Sequence, residues 1–138
     1  MSWENEYKSK LTTAEKAVEL IKSGNRVVIG HACAEPSYLV DAMVANAESY
    51  HDVEIVHMVA MGKAGYAQPG MESHFRHNAL FVGGTTRKAV AEGRGDYTPC
   101  FFYRIPSLFT NGSLPVDVAL VQATPPDENG NMSLGISI

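Results

Sequence analysis

Short apolar runs alternate with segments of helical spacing along this chain, and this alternation constrains the fold more than any other feature. Buried strands are predicted at residues 26–31, 52–61, 79–84 and 115–123, and a further strand at residues 131–138. Strands connected through helices lie parallel in one sheet, with the helices packed on its faces. We therefore predict an α/β fold with an open, mostly parallel sheet and helices on both faces.

Helical spacing and capping residues predict the connecting elements. A helix is expected over residues 12–23, where Thr12 or Thr13 could cap the start and Gly24 suits the stop. Further helices are expected from Glu35-Pro36 onward, with Pro36 in the first turn, over residues 85–95 and near residues 106–110. The polar segment 62–78 is predicted to be a long loop with at most one helical turn.

Composition excludes several classes of protein. The 138 residues are enough for one domain with its own core, and 45% of them are hydrophobic. A net charge of −4 with thinly spread Lys and Arg argues against nucleic-acid binding, and no apolar run is long enough to cross a membrane. The polar amino end is unlike a signal peptide, and Cys33 and Cys100 lack metal-ligand spacing. We expect a cytoplasmic protein with free thiols.

Ligands of open parallel sheets bind beyond the carboxyl ends of the strands. The loops after Ile29, Val59, Val82 and Val121 are therefore the candidate sites. In the first of these, residues 30–34 are small and would let a ligand approach the backbone, with His31 as a donor or acceptor. The alternative is a tight turn in which Glu35 only complements a helix dipole. Both interpretations stay open.

Two other patterns carry weaker signals. Residues 83–87 resemble a helix start in which Arg87 could engage an anion, but they lack the spacing of a phosphate-binding loop, and a helix cap is the preferred interpretation. His74, His77 and Glu72 are too few ligands for a metal site, so none is expected.

No nucleophile stands out among the residues. Cys33 is the best-placed thiol, but burial as a small apolar side chain is expected. Glu35 lies at the expected crevice, whereas Glu54 alternates outward on its strand. The residues by themselves indicate a site without indicating its reaction.

Four blocks, at residues 23–47, 56–66, 87–109 and 115–137, resemble the amino-terminal half of the acetyl-CoA hydrolase/transferase family. The most specific block contains "DVALV", "PPDENG" and "SLGIS". The resemblance is strongest to members that transfer CoA between 4-hydroxybutyrate or butyrate and acetate. It implies the first of two similar domains, which is a CoA-transferase family I-like fold, with residues 1–138 as an apparently truncated amino-terminal domain.

The same resemblance implies a mechanism and a set of partners. A glutamate in a second domain attacks the acyl-CoA thioester and carries CoA as a glutamyl thioester. No catalytic residue and no cofactor are therefore expected within this chain, and CoA enters only as a substrate. Acyl-CoA, short-chain carboxylates and the second domain or a partner subunit are the expected partners. No nucleic acid or membrane is expected as a partner, and the enzyme is expected to be a homo-oligomer.

Loop position, taken together with the resemblance, assigns substrate binding to His31, Glu35, Met58, Gly62 and Lys63. Backbone amides near Gly62 could also stabilise an oxyanion. Three alternatives remain: an acetyl-CoA hydrolase domain, a non-catalytic subunit that pairs with a separate catalytic chain, and a sugar-phosphate-binding domain.

Overall fold

A computed structural model describes residues 2–136 and contains one sheet of five parallel strands in the order β4-β3-β2-β1-β5. The strands are β1 Arg26–Ile29, β2 Val53–His57, β3 Phe75–Ala79, β4 Gly95–Tyr97 and β5 Val118–Leu120. Ile29 pairs with both His57 and Leu120, so the central strands end level with one another. The predicted open parallel α/β fold is confirmed.

The connecting helices are short. They are α1 Trp3–Lys10, α2 Ala14–Val18, α3 Ser37–Ala45, α4 Arg87–Ala91 and α5 Ile105–Thr110. Single 3₁₀ turns lie at Ala32–Ala34, Ala47–Ser49, Gly65–Ala67 and Phe102–Arg104. Thr13 caps α2 as predicted, because its side chain accepts a hydrogen bond from the Lys16 N–H at 3.4 Å.

The two faces of the sheet bury different amounts of apolar surface. On one face, Val27 and Ile55 pack under α2 and α3 in the main core, which also includes Met43. On the other face, α5 covers Val56 and Leu80 in a smaller cluster. Helices therefore lie on both faces, but the second face is only partly covered.

The third strand was predicted at the wrong place. Residues 79–84 were expected to form it, but β3 is Phe75–Ala79 and lies mostly in the segment predicted to be a loop. The strand was missed because His77 and Asn78 make it look polar, although both are buried and hydrogen-bonded. β4 was missed as well, since its three residues Gly95–Tyr97 carry little apolar pattern.

Other element boundaries also differ from the prediction. The helix expected over residues 12–23 is reduced to Ala14–Val18, and that expected over residues 85–95 to Arg87–Ala91. Pro36 precedes α3 rather than lying inside it, and α1 was not predicted. The strand expected at residues 131–138 is not formed over residues 131–136, and its last two residues lie outside the described part.

Candidate functional site

The loops after β1, β2 and β5 meet at the carboxyl end of the sheet. The Ala32 N–H donates to the Val59 carbonyl at 2.9 Å, and the Gly30 N–H donates to the Leu120 carbonyl at 2.9 Å. Ala32 has a φ of 54°, a left-handed conformation that is uncommon outside glycine. A strained residue held by a neighbouring loop indicates that the geometry of this turn is specified by its surroundings.

Glu35 is buried at this junction and connects the first two loops. It is only 8% exposed, and its Oε2 accepts hydrogen bonds from the backbone N–H groups of Met61 at 3.2 Å and Gly62 at 2.9 Å. Hydrogen bonds to an ionised acceptor are stronger than neutral ones. The carboxylate therefore holds the loop after β2 against the turn after β1.

The approach of Glu35 to this loop depends on Gly62. A Cβ added at Gly62 would lie 2.3 Å from Oε1 and 2.9 Å from Cδ of Glu35, which is closer than van der Waals contact allows. Glycine is the residue that permits such close contact with a backbone. The Gly62 N–H, which the sequence analysis considered as an oxyanion donor, donates to Glu35 in this structure.

A second polar side chain, His57, lies behind Glu35 at the end of β2. Its Nε2 is 4.0 Å from Oε2 of Glu35, and its Nδ1 is 2.7 Å from the hydroxyl oxygen of Tyr66. Burial, together with the nearby His77, lowers the pKa of His57 to about 4. Burial and the charge of Glu35 raise the pKa of Tyr66, so both rings are neutral near pH 7.

His77 extends this buried polar group onto β3. Its ring centroid is 5.4 Å from that of Tyr66, and its Nδ1 is 3.3 Å from the Ile55 carbonyl oxygen. Burial lowers the pKa of His77 as well. Two neutral imidazoles and a neutral phenol therefore lie behind the Glu35 carboxylate, on the side of the sheet that carries the main core.

An apolar cavity of about 410 Å³ opens on the other face of the sheet, beside the same strand ends. Val28, Val56, Met58 and Leu80 form its sheet side, and Phe102, Tyr103, Ile105 and Phe109 form its helical side. His31 also lines it, and His31 and Tyr103 are the lining side chains that carry polar atoms. A cavity with so few polar groups suits a mostly apolar group.

The structure divides the five predicted substrate-binding residues into three places. His31 and Met58 line the apolar cavity together. Glu35 and Gly62 contact each other at the loop junction. Lys63 lies on the surface, where its Nζ is 2.7 Å from Oδ2 of Asp41 on α3.

The remaining sequence candidates lie outside these places. Cys33 was expected to be buried, and this is wrong: it is exposed, because the 3₁₀ turn Ala32–Ala34 directs it away from the core. Arg87 is the exposed first residue of α4, its N–H bonded to the Gly83 carbonyl at 3.0 Å. His74 lies by the Tyr50 carbonyl.

Residues 2–136 contain neither a metal-binding cluster nor a membrane-spanning helix. No group of three or more His, Cys, Asp or Glu side chains is arranged to hold a metal ion among these residues. In the same range, every helix falls short of the length and apolar character needed to cross a membrane.

Two residues that support the site, His57 and Tyr66, were not predicted from the sequence. His57 was treated as part of an apolar run, and Tyr66 as part of a polar loop. The alternation of β2 contained a signal for His57, because Val53, Ile55 and His57 share one face of the strand and all three are buried. No local pattern places Phe102 or Phe109 opposite Val28, since that contact depends on the return of the chain after β4.

Comparison with known proteins identifies the family of this domain. Residues 1–138 match the profile of the acetyl-CoA hydrolase/transferase N-terminal domain. The chain is 61% identical to 4-hydroxybutyrate coenzyme A transferase of Clostridium kluyveri over 137 residues, which cover 99% of this chain and 32% of that protein. It is 31% identical to butyryl-CoA:acetate CoA-transferase of Anaerostipes caccae, covering 99% of this chain and 31% of that protein.

Solved structures agree with this result. The crystal structure of 4-hydroxybutyrate CoA-transferase from Porphyromonas gingivalis matches with a TM-score of 0.76 and 31% identity, over 96% of this chain and 30% of that one. RipA from Yersinia pestis matches with a TM-score of 0.88 and 25% identity, over 97% and 33%. The chain thus spans about a third of the length of the relatives that it matches.

Proposed function

This chain belongs to the acetyl-CoA hydrolase/transferase family, and from that membership we propose that it is the amino-terminal domain of a short-chain acyl CoA-transferase. The enzyme would move CoA between 4-hydroxybutyrate or butyrate and acetate. The observation that carries the proposal is the apolar cavity beside the strand ends, in a domain 61% identical to a protein named for 4-hydroxybutyrate.

The cavity is proposed to hold the acyl chain of the substrate. Its walls are mostly aliphatic and aromatic, and a volume of about 410 Å³ is ample for a chain of four carbons. His31 is the polar group that could meet a hydroxyl or carboxylate at the end of such a chain. Met58 has a flexible thioether side chain, which can adapt to different acyl groups.

The loop after β2 is proposed to face the carboxylate and CoA side of the substrate. Lys63 is exposed on this loop and has Asp41 as its present partner, so it can exchange that contact for a substrate anion. Glu35 and Gly62 contribute by fixing the backbone on either side of Met61. The five residues thus have different tasks at the proposed site.

The chemical step is assigned to a second domain, on the same chain or on a partner subunit. There a glutamate would attack the thioester and carry CoA as a glutamyl thioester. CoA is then a substrate, and the reaction needs no further cofactor. A cytoplasmic location and self-association, both expected from the sequence, remain predictions of the same proposal.

A transfer assay tests the proposal on the enzyme assembled with its second domain. Butyryl-CoA or 4-hydroxybutyryl-CoA is supplied with or without acetate, and acetyl-CoA and free CoA are separated by chromatography. We expect acetyl-CoA to form only when acetate is present. Release of free CoA at the same rate without acetate would identify a hydrolase instead.

The 138-residue chain assayed alone separates the remaining alternatives. We expect it to be inactive, and activity should return when a separate or fused catalytic domain is added. Turnover by this chain alone would overturn the assignment of the glutamate to a second domain. If no acyl-CoA is consumed in either form and a sugar phosphate binds instead, the transferase proposal is wrong.

A further inference from the structure

We propose that the side chains of Tyr66, His57 and Glu35 form a buried chain of polar groups that positions the loop after β2. In this chain His57 is held as the tautomer that carries its proton on Nε2. Glu35 would thus be a positioning residue that acts on substrate through the backbone of Met61 and Gly62. This inference rests on the proposed function only in its kinetic part. The tautomer is a property of the domain itself.

The contacts of these side chains lie at both ends of the loop after β2. The loop starts after His57, passes Met61 and Gly62, and continues to Tyr66 in the 3₁₀ turn Gly65–Ala67. Glu35 accepts both amide protons at the near end, and Tyr66 meets Nδ1 of His57 at 2.7 Å at the far end. The loop is therefore held at two points. The groups that hold it approach each other where Nε2 of His57 lies 4.0 Å from Oε2 of Glu35, which is longer than a hydrogen bond.

The tautomer follows from the groups around the imidazole. The Nε2 of His57 lies 4.0 Å from a carboxylate oxygen, and a lone pair directed at that oxygen would be repelled. A proton on Nε2 turns the same contact into an attraction. Nδ1 then has a free lone pair and accepts the hydroxyl proton of Tyr66 at 2.7 Å.

Burial makes the tautomer costly to exchange. His57 is 1% exposed and Tyr66 is 1% exposed, so water does not compete for either group. Among the described residues, Nε2 of His57 makes no hydrogen bond within normal distance, which leaves Glu35 as the nearest charged acceptor. Removing Glu35 would leave a buried donor and two backbone amides without this partner.

The segment that this chain holds includes a strained residue and the exposed lysine. Ala64 has a φ of 45°, a conformation that needs support from its surroundings. Lys63 precedes it and points to the surface beside α3. Fixing the backbone on both sides of Lys63 reduces the loss of conformational entropy when the loop meets a substrate.

Nitrogen-15 NMR of the histidine-labelled chain tests the tautomer. We expect His57 to show a protonated Nε2 and an unprotonated Nδ1 at neutral pH, and Tyr66→Phe to convert this signal to a mixture of tautomers. His51, which is exposed, is the internal control. A proton on Nδ1 of His57 in the unmodified chain would overturn the proposal.

Kinetics of the two-domain enzyme test the positioning role. Glu35→Ala should raise KM for acyl-CoA about tenfold with kcat nearly unchanged, because ground-state positioning is lost. Glu35→Gln should recover most of this loss, since its amide oxygen can accept from both N–H groups. Glu48→Gln is the matched control: Glu48 is 3.7 Å from His74, but its side chain is 96% exposed.

The outcomes separate this inference from the proposed function. If the enzyme transfers CoA but Glu35→Gln and Glu35→Ala both fold and keep the normal KM, the positioning role is wrong. If the enzyme transfers no CoA, the proposed function is wrong, and the NMR experiment still decides whether the chain of Tyr66, His57 and Glu35 exists. Should Glu35→Ala fail to fold, Gly62→Ala carries the test, because its added Cβ displaces the Glu35 carboxylate. It should raise KM as Glu35→Ala would, and a folded Gly62→Ala enzyme with the normal KM would overturn the positioning role.

Discussion

The Glu35 carboxylate occupies the space into which a side chain at Gly62 would extend. A Cβ at Gly62 would lie 2.3 Å from Oε1 of Glu35, while the Gly62 N–H donates to Oε2 of the same carboxylate at 2.9 Å. The hydrogen bond from the Gly62 N–H and the lack of space for a Cβ at Gly62 have the same cause, because the buried carboxylate lies directly against the backbone of this residue. The residues at positions 35 and 62 are therefore coupled.

Gly62→Ala should destabilise the domain by displacing Glu35. Either the new methyl group expels the carboxylate, which breaks two hydrogen bonds to a charged acceptor, or the loop moves away from it. We expect a loss of about 2–4 kcal/mol in the free energy of unfolding, measured by urea denaturation.

Gly84→Ala is the matched control for this change, since nothing lies within 4 Å of a Cβ at that position. It should alter stability by less than about 0.5 kcal/mol. In a Glu35→Ala background the Gly62→Ala change should cost much less, because the obstacle has been removed. Strict additivity of the two substitutions would contradict the coupling.

The pH dependence of stability should report His57. Its pKa is about 4 in the folded domain against 6.5 for an ordinary histidine, so below pH 6.5 the unfolded chain binds more protons than the folded one. The contribution of neutral His57 to the free energy of unfolding is therefore complete above pH 6.5. It is lost as the pH drops toward 4, by about 3 kcal/mol in total. Buried His77, with its lowered pKa, acts in the same direction.

Urea denaturation at pH 7 and pH 5 measures this effect. His57→Gln should reduce the difference between the two pH values, and the exposed His51→Gln should leave it unchanged. NMR titration gives a second readout that needs no variant: the ring of His57 should stay neutral at pH 5. Titration of His57 near pH 6.5 would show that burial does not depress its pKa.

Tyr50 should stabilise the main core through its hydroxyl group as well as its ring. The buried hydroxyl donates to the Val18 carbonyl at 2.8 Å and accepts from Nδ2 of Asn46 at 2.8 Å, which joins α2 to α3. Tyr50→Phe should cost about 1–2 kcal/mol, because the Val18 carbonyl loses its donor in the interior. Tyr38→Phe, at a 73% exposed position, should change the unfolding free energy little, and equal losses would disprove the assignment.

The fold could be predicted from sequence wherever burial was continuous in the chain. β1 and β2 are apolar runs, and their predicted positions agree with Arg26–Ile29 and Val53–His57 to within a few residues. β3 could not be found in this way, because Nδ1 of buried His77 and the amide of buried Asn78 form hydrogen bonds with partners on neighbouring strands. Those partners are distant in sequence and leave no local pattern.

The candidate site, like the fold, could be predicted only where local sequence carries the information. Loop position predicted that His31, Glu35, Met58, Gly62 and Lys63 follow the ends of parallel strands, and the structure has them in the segments after β1 and β2. Their role in substrate binding stays a prediction. Loop position could not distinguish a residue that lines the cavity from one that supports a loop, because that depends on side-chain direction after a turn. Glu35 shows this: a carboxylate at a crevice looked available, but two backbone amides occupy it.

The apolar cavity should set the length of the acyl group that the proposed transferase accepts. Val28 lies on its floor in β1, opposite Phe109 on α5, and a larger side chain there would occupy part of the 410 Å³. Val28→Phe should therefore raise KM for butyryl-CoA about tenfold or more while acetyl-CoA is still used, because only the longer chain needs the lost volume.

Val116→Phe is the matched control, because Val116 is 41% exposed outside the cavity and the added ring remains in solvent. Thermal unfolding of both variants separates a change of specificity from overpacking, which costs about 1–3 kcal/mol in a filled core. The relevant quantity is the ratio of kcat/KM for butyryl-CoA to that for acetyl-CoA, since loss of folded protein lowers both values equally. An unchanged ratio in folded Val28→Phe would mean that the acyl group binds elsewhere.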